Sequence, residues 1–187
     1  MAGKNSVKKL VVVDLDKTLI SKDSFRLLVQ DNLSLTIGFW LCARVLGMVS
    51  RSFFAAKVQS LLALTLSDRQ YLEDFLGRIG GLIDPRVTKL IDDAAPKEAQ
   101  ILILSASPHA YVQPFAQRLG FVGEGSRFDQ SGYLHLYGQA KRDFVIRNYP
   151  SDQYELCLSV SDSESDLPLL SLFQRAYLYK KGRFDAV

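Results

Sequence analysis

The chain breaks into short, unbroken apolar runs that end at polar residues and longer stretches of helical period. Residues 10–13, Leu-Val-Val-Val, form the first run. Val-rich runs of this length predict strands buried on both faces, as in a parallel sheet. Residues 101–105 and 155–160 predict a second and third core strand, and residues 176–179 a last one. Residues 21 to about 80 read as helical and show no strand signal. Ser24 is a candidate helix cap, with Phe25, Leu28 and Val29 at helical spacing behind it. Residues 33–49 are the most apolar part of the chain, and a further helical stretch covers about 52–64. Ser67 with Gln70 three residues on matches a capping box that opens a helix to about Arg78, closed by Gly80-Gly81. Asp84-Pro85 opens another, with Val87, Leu90, Ile91 and Ala94 on its apolar stripe. Ser107-Pro108 starts a helix in which Pro114 marks a kink or a late start. Residues 127–136 read as a hairpin with Ser131-Gly132 at its turn, 141–149 and 166–172 as helices, and 180–187 as a polar tail. Strand–helix alternation after residue 84 predicts an α/β fold: a Rossmann-like parallel sheet with an all-helical cap inserted after the first strand. The predicted division is a core of 1–20 and 84–187 and a cap of 21–83.

The first apolar run ends in two carboxylates, Asp14 and Asp16. Open parallel sheets bind ligands beyond the carboxyl ends of their strands. In extended backbone these two side chains share a face and repel unless a cation lies between them. A hard divalent ion with oxygen ligands, Mg²⁺, answers that need.

Asp-Leu-Asp-Lys-Thr at 14–18, following a buried strand, resembles the first motif of the haloacid dehalogenase superfamily of phosphatases. Ser-Ala-Ser-Pro at 105–108 resembles the second motif as it stands in the phosphoserine-phosphatase-like branch, whose cap is helical. Lys141 resembles the third, with the adjacent Arg142 as its rival, and Asp162 with Asp166 resembles the fourth. The resemblance implies a Mg²⁺-dependent phosphomonoesterase that works through an aspartyl-phosphate. Asp14 is then the nucleophile and Asp16 the general acid and base. Ser105 and the backbone at Ala106 bind the phosphoryl group, Lys141 offsets charge, and Thr18 steadies the loop at the edge of the substrate site. Asp14, Asp16 and Asp162 serve the metal directly, and Asp166 orients it from behind. Lys17 and Ser161 stand where many relatives carry Gly. Taken singly each piece has a plain structural reading: a polar strand end, a helix cap, a solvated lysine, helix-start acids. Their order, each beside a strand or helix start, favours the catalytic one. Two alternatives stay open: phosphoryl transfer to an acceptor other than water, and an idle member that binds a phosphorylated ligand or partner through its cap.

Among 187 residues, 48% are hydrophobic and 23% charged, ordinary for a folded soluble protein, and a net charge of +3 gives no case for nucleic acid. That charge is uneven. Residues 25–66 hold Arg26, Arg44, Arg51 and Lys57 against Asp31 alone. The polar N-terminus lacks a cleavage site of the small-residue kind, so the chain reads as untargeted and cytoplasmic. Cys42 and Cys157 form no disulfide or zinc pattern and are expected as buried thiols. Residues 33–49 fall short of the about 20 needed to span a bilayer, and Arg44 within them would cost about 2.5–3.5 kcal/mol. They are expected to form a cap helix packed on its neighbours. Phe39, Trp40, Phe53 and Phe54, lying among Arg44, Arg51 and Lys57, also raise peripheral membrane contact or an apolar, lipid-linked phosphate as substrate.

Overall fold

Alternating side chains of one strand build two cores. The computed structural model describes residues 7–130 and 132–187. The predicted polar terminus up to residue 6, and Ser131 of the predicted turn, lie outside them. In β1 (Lys8–Val13), Val11 and Val13 enter one apolar cluster while Leu10 and Val12 enter the other. This is the period-2 consequence of a strand covered on both faces. β1 pairs in parallel with β2 (Gln100–Pro108) on one side and β5 (Tyr154–Ser161) on the other. β3 (Val122–Asp129) and β6 (Arg175–Lys180) extend the parallel sheet. Two short antiparallel strands, β4 (Gly132–Leu134) and β7 (Arg183–Ala186), close its edges in the order β4-β3-β2-β1-β5-β6-β7. The fold is the mixed α/β, mostly parallel one that the sequence implies.

Between β1 and β2 the chain forms α1 (Ser24–Asp31), α2 (Leu35–Val45), α3 (Arg51–Leu61), α4 (Ala63–Ser67), α5 (Arg69–Gly80) and α6 (Pro85–Ala94). The two connections to the first five of these run side by side: Ile20 bridges Ile83, and the Ser21 N–H donates to the Leu82 carbonyl at 2.8 Å. Leu28, Val58, Phe75 and Ile79 from these helices belong to the same cluster as Val11 and Val13. Further along lie α7 (His109–Arg118), α8 (Gln139–Asn148), a 3-10 turn (Glu164–Asp166) and α9 (Leu167–Leu170).

Several local expectations are corrected. Asp23, not Ser24, caps α1 by accepting from the Arg26 N–H at 2.9 Å. Asp68, not Ser67, caps α5; Ser67 instead donates to the Leu64 carbonyl at 2.7 Å. Where two cap-competent residues adjoin, local pattern does not choose between them. β2 runs on through Ser107 and Pro108, so α7 begins at His109. Gly132 pairs with Asp129 inside the hairpin rather than standing in the turn. The polar tail contains β7, because Phe184 stacks on Tyr179 at 4.7 Å between ring centroids. Cys157 is buried, but Cys42 is exposed.

Asp84 joins the end of the helical segment to the sheet. It caps α6 and is 4% exposed; its carboxylate accepts from the Arg86 N–H (3.0 Å), from the Arg86 guanidinium (2.6 and 2.9 Å) and from the Tyr179 hydroxyl on β6 (2.5 Å). The Arg86 bonds, reinforced by Tyr179, hold its carboxyl well below the usual carboxylate range. A depressed native pKa contributes stability above the unfolded value of about 4, lost as pH falls through the lower native one. Asp84→Ala should therefore cost about 2–3 kcal/mol near neutrality by urea unfolding, through loss of a cap and of charged hydrogen bonds. The difference from the unmutated protein should shrink as the pH is lowered toward the native pKa. A difference independent of pH would contradict this role.

Candidate active site

Asp14 stands at the carboxyl end of β1, where its N–H still donates to the Val160 carbonyl of β5 at 2.9 Å. The backbone then turns sharply, with Lys17 in the left-handed region at φ 57°. That conformation explains why glycine suits the position; a lysine there costs about 1–2 kcal/mol. The turn carries Thr18 beneath Asp14. The Thr18 hydroxyl donates to Asp14 Oδ2 at 3.2 Å and accepts from the Asp162 N–H at 2.9 Å. Thr18 is fully buried, so its position is that of a brace between two loops rather than of a substrate contact.

The other oxygen of Asp14 belongs to Lys141. The Nζ of this buried lysine donates to Asp14 Oδ1 at 2.6 Å and to Asp166 Oδ2 at 2.7 Å. It projects from the first turn of α8, which Gly138 starts at φ 55°. Burial works against the ammonium, yet the charges on Asp14 and Asp166 outweigh burial and raise its pKa. Arg142, the rival candidate, is paired outward with Asp143. The Ser161 hydroxyl also donates to Asp166 Oδ2, at 2.8 Å, while Asp166 Oδ1 is buried without a hydrogen-bond partner. Carboxylates 127 and 25 residues from Lys141 thus meet on one ammonium.

Asp16 is held by an unforeseen set of donors. Ser24 gives both its N–H and its hydroxyl to Oδ1, each at 2.5 Å. Ser107 gives its hydroxyl to Oδ2 at 2.6 Å, and Ser105 adds a longer bond of 3.3 Å. Since the Ser24 hydrogen goes to Asp16, the buried Tyr111 hydroxyl donates to Ser24 at 2.9 Å. Burial raises the Asp16 pKa, and the bonds from Ser107 and Ser24 pull against it. Ser105, the serine expected to meet substrate, is 1% exposed and faces inward, accepting the Ser107 N–H at 3.1 Å. Ser107 and Ala106 reach the cavity. Gly125 lets this loop sit against β3: a Cβ there would lie 2.5 Å from the Ser107 carbonyl oxygen.

A cavity of about 680 Å³ opens over these groups, and Asp14, Asp16, Lys141, Asp162 and Asp166 all line it. The helical segment supplies Phe25, Arg44, Val45, Arg51 and Phe54 to the opposite wall. His135 completes the rim, bonded to the Ser52 hydroxyl at 2.6 Å and stacked between Tyr133 and Tyr137. Burial, with Arg51 and Lys141 nearby, lowers its pKa to about 4, so it is neutral at pH 7. His109 lies apart, beside Glu124. His135 was not singled out in the sequence; the alternation of rings at Tyr133, His135 and Tyr137 is the feature that marks it.

Among the described residues, no three His, Cys, Asp or Glu side chains form a cage for a metal ion. Mg²⁺ does not ask for one; it is usually held by one or two carboxylates, water and a phosphate oxygen. Burial raises the Asp14 pKa to about 7 despite Lys141, with Asp166 and Asp16 adding to the rise. Burial likewise raises that of Asp162, against Lys17 and Lys141. Four buried or half-buried acids around one buried lysine, with Asp166 Oδ1 left unpartnered, are a donor set short of positive charge, and it fits a divalent cation.

The haloacid dehalogenase-like hydrolase family matches residues 11–171. The chain belongs to that family. The hydrolase resembles solved structures along nearly its whole length. One is a protein of unknown function from Bordetella pertussis Tohama I (TM-score 0.69, 16% identity, covering 91% of this chain and 89% of that one). Another is a phosphoserine phosphohydrolase-like protein from Francisella tularensis subsp. tularensis SCHU S4 (0.57, 19%, 93% and 88%). A third is a phosphoserine phosphatase in the form of a phospho-aspartyl intermediate analogue (0.56, 17%, 90% and 84%). At these identities the likeness is one of fold. Comparison with curated proteins returns no match.

Proposed function

We propose that this hydrolase is a Mg²⁺-dependent phosphomonoesterase with Asp14 as its nucleophile. The observation that carries the reading is the Asp14 carboxylate at the end of β1, with one oxygen on Lys141 and the other on Thr18, in the wall of a cavity large enough for a small phosphate ester. Family membership and the phosphoserine phosphatases among its structural neighbours support it. In the first half-reaction an Asp14 oxygen bonds to phosphorus as the bond to the ester oxygen breaks, and Asp16 gives its proton to the leaving alkoxide. In the second, Asp16 takes a proton from water, whose oxygen bonds to phosphorus as the bond to Asp14 breaks, freeing phosphate. The hydroxyl hydrogens of Ser24 and Ser107 can turn, so these groups serve Asp16 both as carboxylate and as acid. Lys141 offsets charge on Asp14 and the incoming phosphoryl group, and Ala106, in the cavity wall, would offer its backbone to a phosphoryl oxygen. Asp14 and Asp162 would hold Mg²⁺, with Asp16 beside them and Asp166 behind; when bound, the ion neutralises phosphoryl charge.

The test is phosphate release from an aryl phosphate. Release should require Mg²⁺, cease in EDTA and return when Mg²⁺ is restored in excess. Turnover unaffected by EDTA would contradict the metal, and no release from any of a panel of phosphorylated metabolites would contradict the phosphatase reading.

A further inference from the structure

The cavity is lined by charges of both signs, and they come from different parts of the chain. The sheet and its loops bring Asp14, Asp16, Asp162 and Asp166 around Lys141. The helical segment brings Arg44, in the last turn of α2, and Arg51, in the first turn of α3. Among the described residues neither arginine pairs with a carboxylate. From Asn32 to Ser67 the chain holds no Asp or Glu that could supply one. Asp23, the acid that the helical segment does bring to the cavity, is engaged: it accepts from the Arg26 N–H at 2.9 Å and lies 3.6 Å from Lys17 Nζ. Arg51 is held in place. Its guanidinium lies over the Tyr137 ring at 4.5 Å, and its neighbour Ser52 is bonded to His135 at 2.6 Å. The start of α3 is thus tied to the segment between β4 and α8. A cation over a ring keeps its charge and its donors for a further partner. A cleft wall of one sign, with no acid to neutralise it, attracts an anion.

We propose that Arg44 and Arg51 bind a second anionic group, carried by the alcohol half of the phosphate ester. The inference rests on the phosphatase reading and names the class of ester: one with a further carboxylate or phosphate and no ammonium group. The phosphoryl group that is transferred has Lys141 for a partner at Asp14, so it does not require the arginines. A cavity of about 680 Å³ leaves room for more than that group. Guanidinium forks match the paired oxygens of carboxylates and phosphates. An ammonium on the alcohol would meet two cations, and the acids left to receive it are those of the reacting centre and the engaged Asp23. Phe25, Val45 and Phe54 line the same wall, so the carbon skeleton of the alcohol meets apolar surface.

The test compares kcat/KM for esters that differ in the second charge. One pair is 3-phosphoglycerate against glycerol phosphate. A series sets alkanediol bisphosphates against alkyl phosphates of the same lengths. Phosphoserine, which carries an ammonium where 3-phosphoglycerate has a hydroxyl, is the third comparison. In at least one pair the partner with the second anion should be preferred about tenfold or more, and which pair shows it tells carboxylate from phosphate. No preference in any pair would overturn the proposal, and so would phosphoserine turned over better than 3-phosphoglycerate. Arg44→Met/Arg51→Met should bring the preference to within about twofold of none, with an unchanged circular dichroism spectrum. Arg44→Met alone, which leaves the Arg51–Tyr137 contact in place, should reduce it in part. A preference that survives both variants would overturn the proposal, including one that survives because both partners lose equally, which would put the arginines on the transferred phosphoryl group. If no ester is turned over, the phosphatase reading fails and this one is still decided. Calorimetry on Asp14→Asn should then show the partner with the second anion bound about tenfold more tightly, and equal affinities would overturn it.

Discussion

Asp14→Asn should lower turnover of an aryl phosphate by about 10⁴-fold or more while leaving the protein folded. The two halves of this prediction have separate causes. An amide oxygen can still accept from Lys141 Nζ, and Lys141 keeps its bond to Asp166, so no buried cation is stranded. The substitution also removes a carboxylate that burial disfavours. The expected change in unfolding midpoint is therefore small. The chemistry has no such fallback, because a carboxamide is a poor nucleophile toward phosphorus. Loss of turnover with an unshifted unfolding curve is the expected pair of observations. A kcat within tenfold of the unmutated enzyme would remove Asp14 from the nucleophile's role.

Lys141→Met should do the opposite to stability. Among the described residues Lys141 is the one cation that the buried oxygens of both Asp14 and Asp166 share, and methionine nearly matches its volume but brings no charge. Breaking a buried pair leaves uncompensated charge, which costs about 3–5 kcal/mol. Urea denaturation should show a lowered midpoint with an unchanged slope. Turnover should fall about 10³-fold, as when one charge-stabilising donor is lost. A second substitution separates the two effects. Lys141→Met/Asp166→Asn should recover part of the stability, because one of the stranded charges is gone, and none of the activity. Recovery of both would mean that Lys141 acts on catalysis only by holding the fold together. A Lys141→Met protein as stable as the parent would contradict the buried network.

The sequence carried β1 and its carboxylates because a Val-rich run ending in two acids leaves few other structures open. It carried Lys141 and Asp166 only through order along the chain; their meeting depends on the β1–β5 pairing, which sets Val13 opposite Val160 and so brings the ends of both strands together. Ser24 and Tyr111 were hidden for a physical reason. A serine at a helix start looks the same to local analysis whether its hydroxyl caps the helix or crosses to an acid eight residues back. Ser107 was read as a helix cap because Pro follows it, yet strand pairing carries the extended backbone to Pro108. α2 packs Ile37 and Trp40 on the core as expected, but its second apolar side, with Leu35 and Phe39, faces solvent, because apolar character along a helix does not report whether anything lies against each side.

The central claim is that the phosphoryl group passes through Asp14. Acid-quenching the enzyme during turnover of an aryl phosphate and mapping the covalent phosphoryl group by mass spectrometry tests it most directly. The account predicts a phosphoryl group on the peptide containing Asp14, stable in acid and released by hydroxylamine. A phosphoryl group on Ser105 or Ser107, or steady turnover with no covalent species at all, would contradict it.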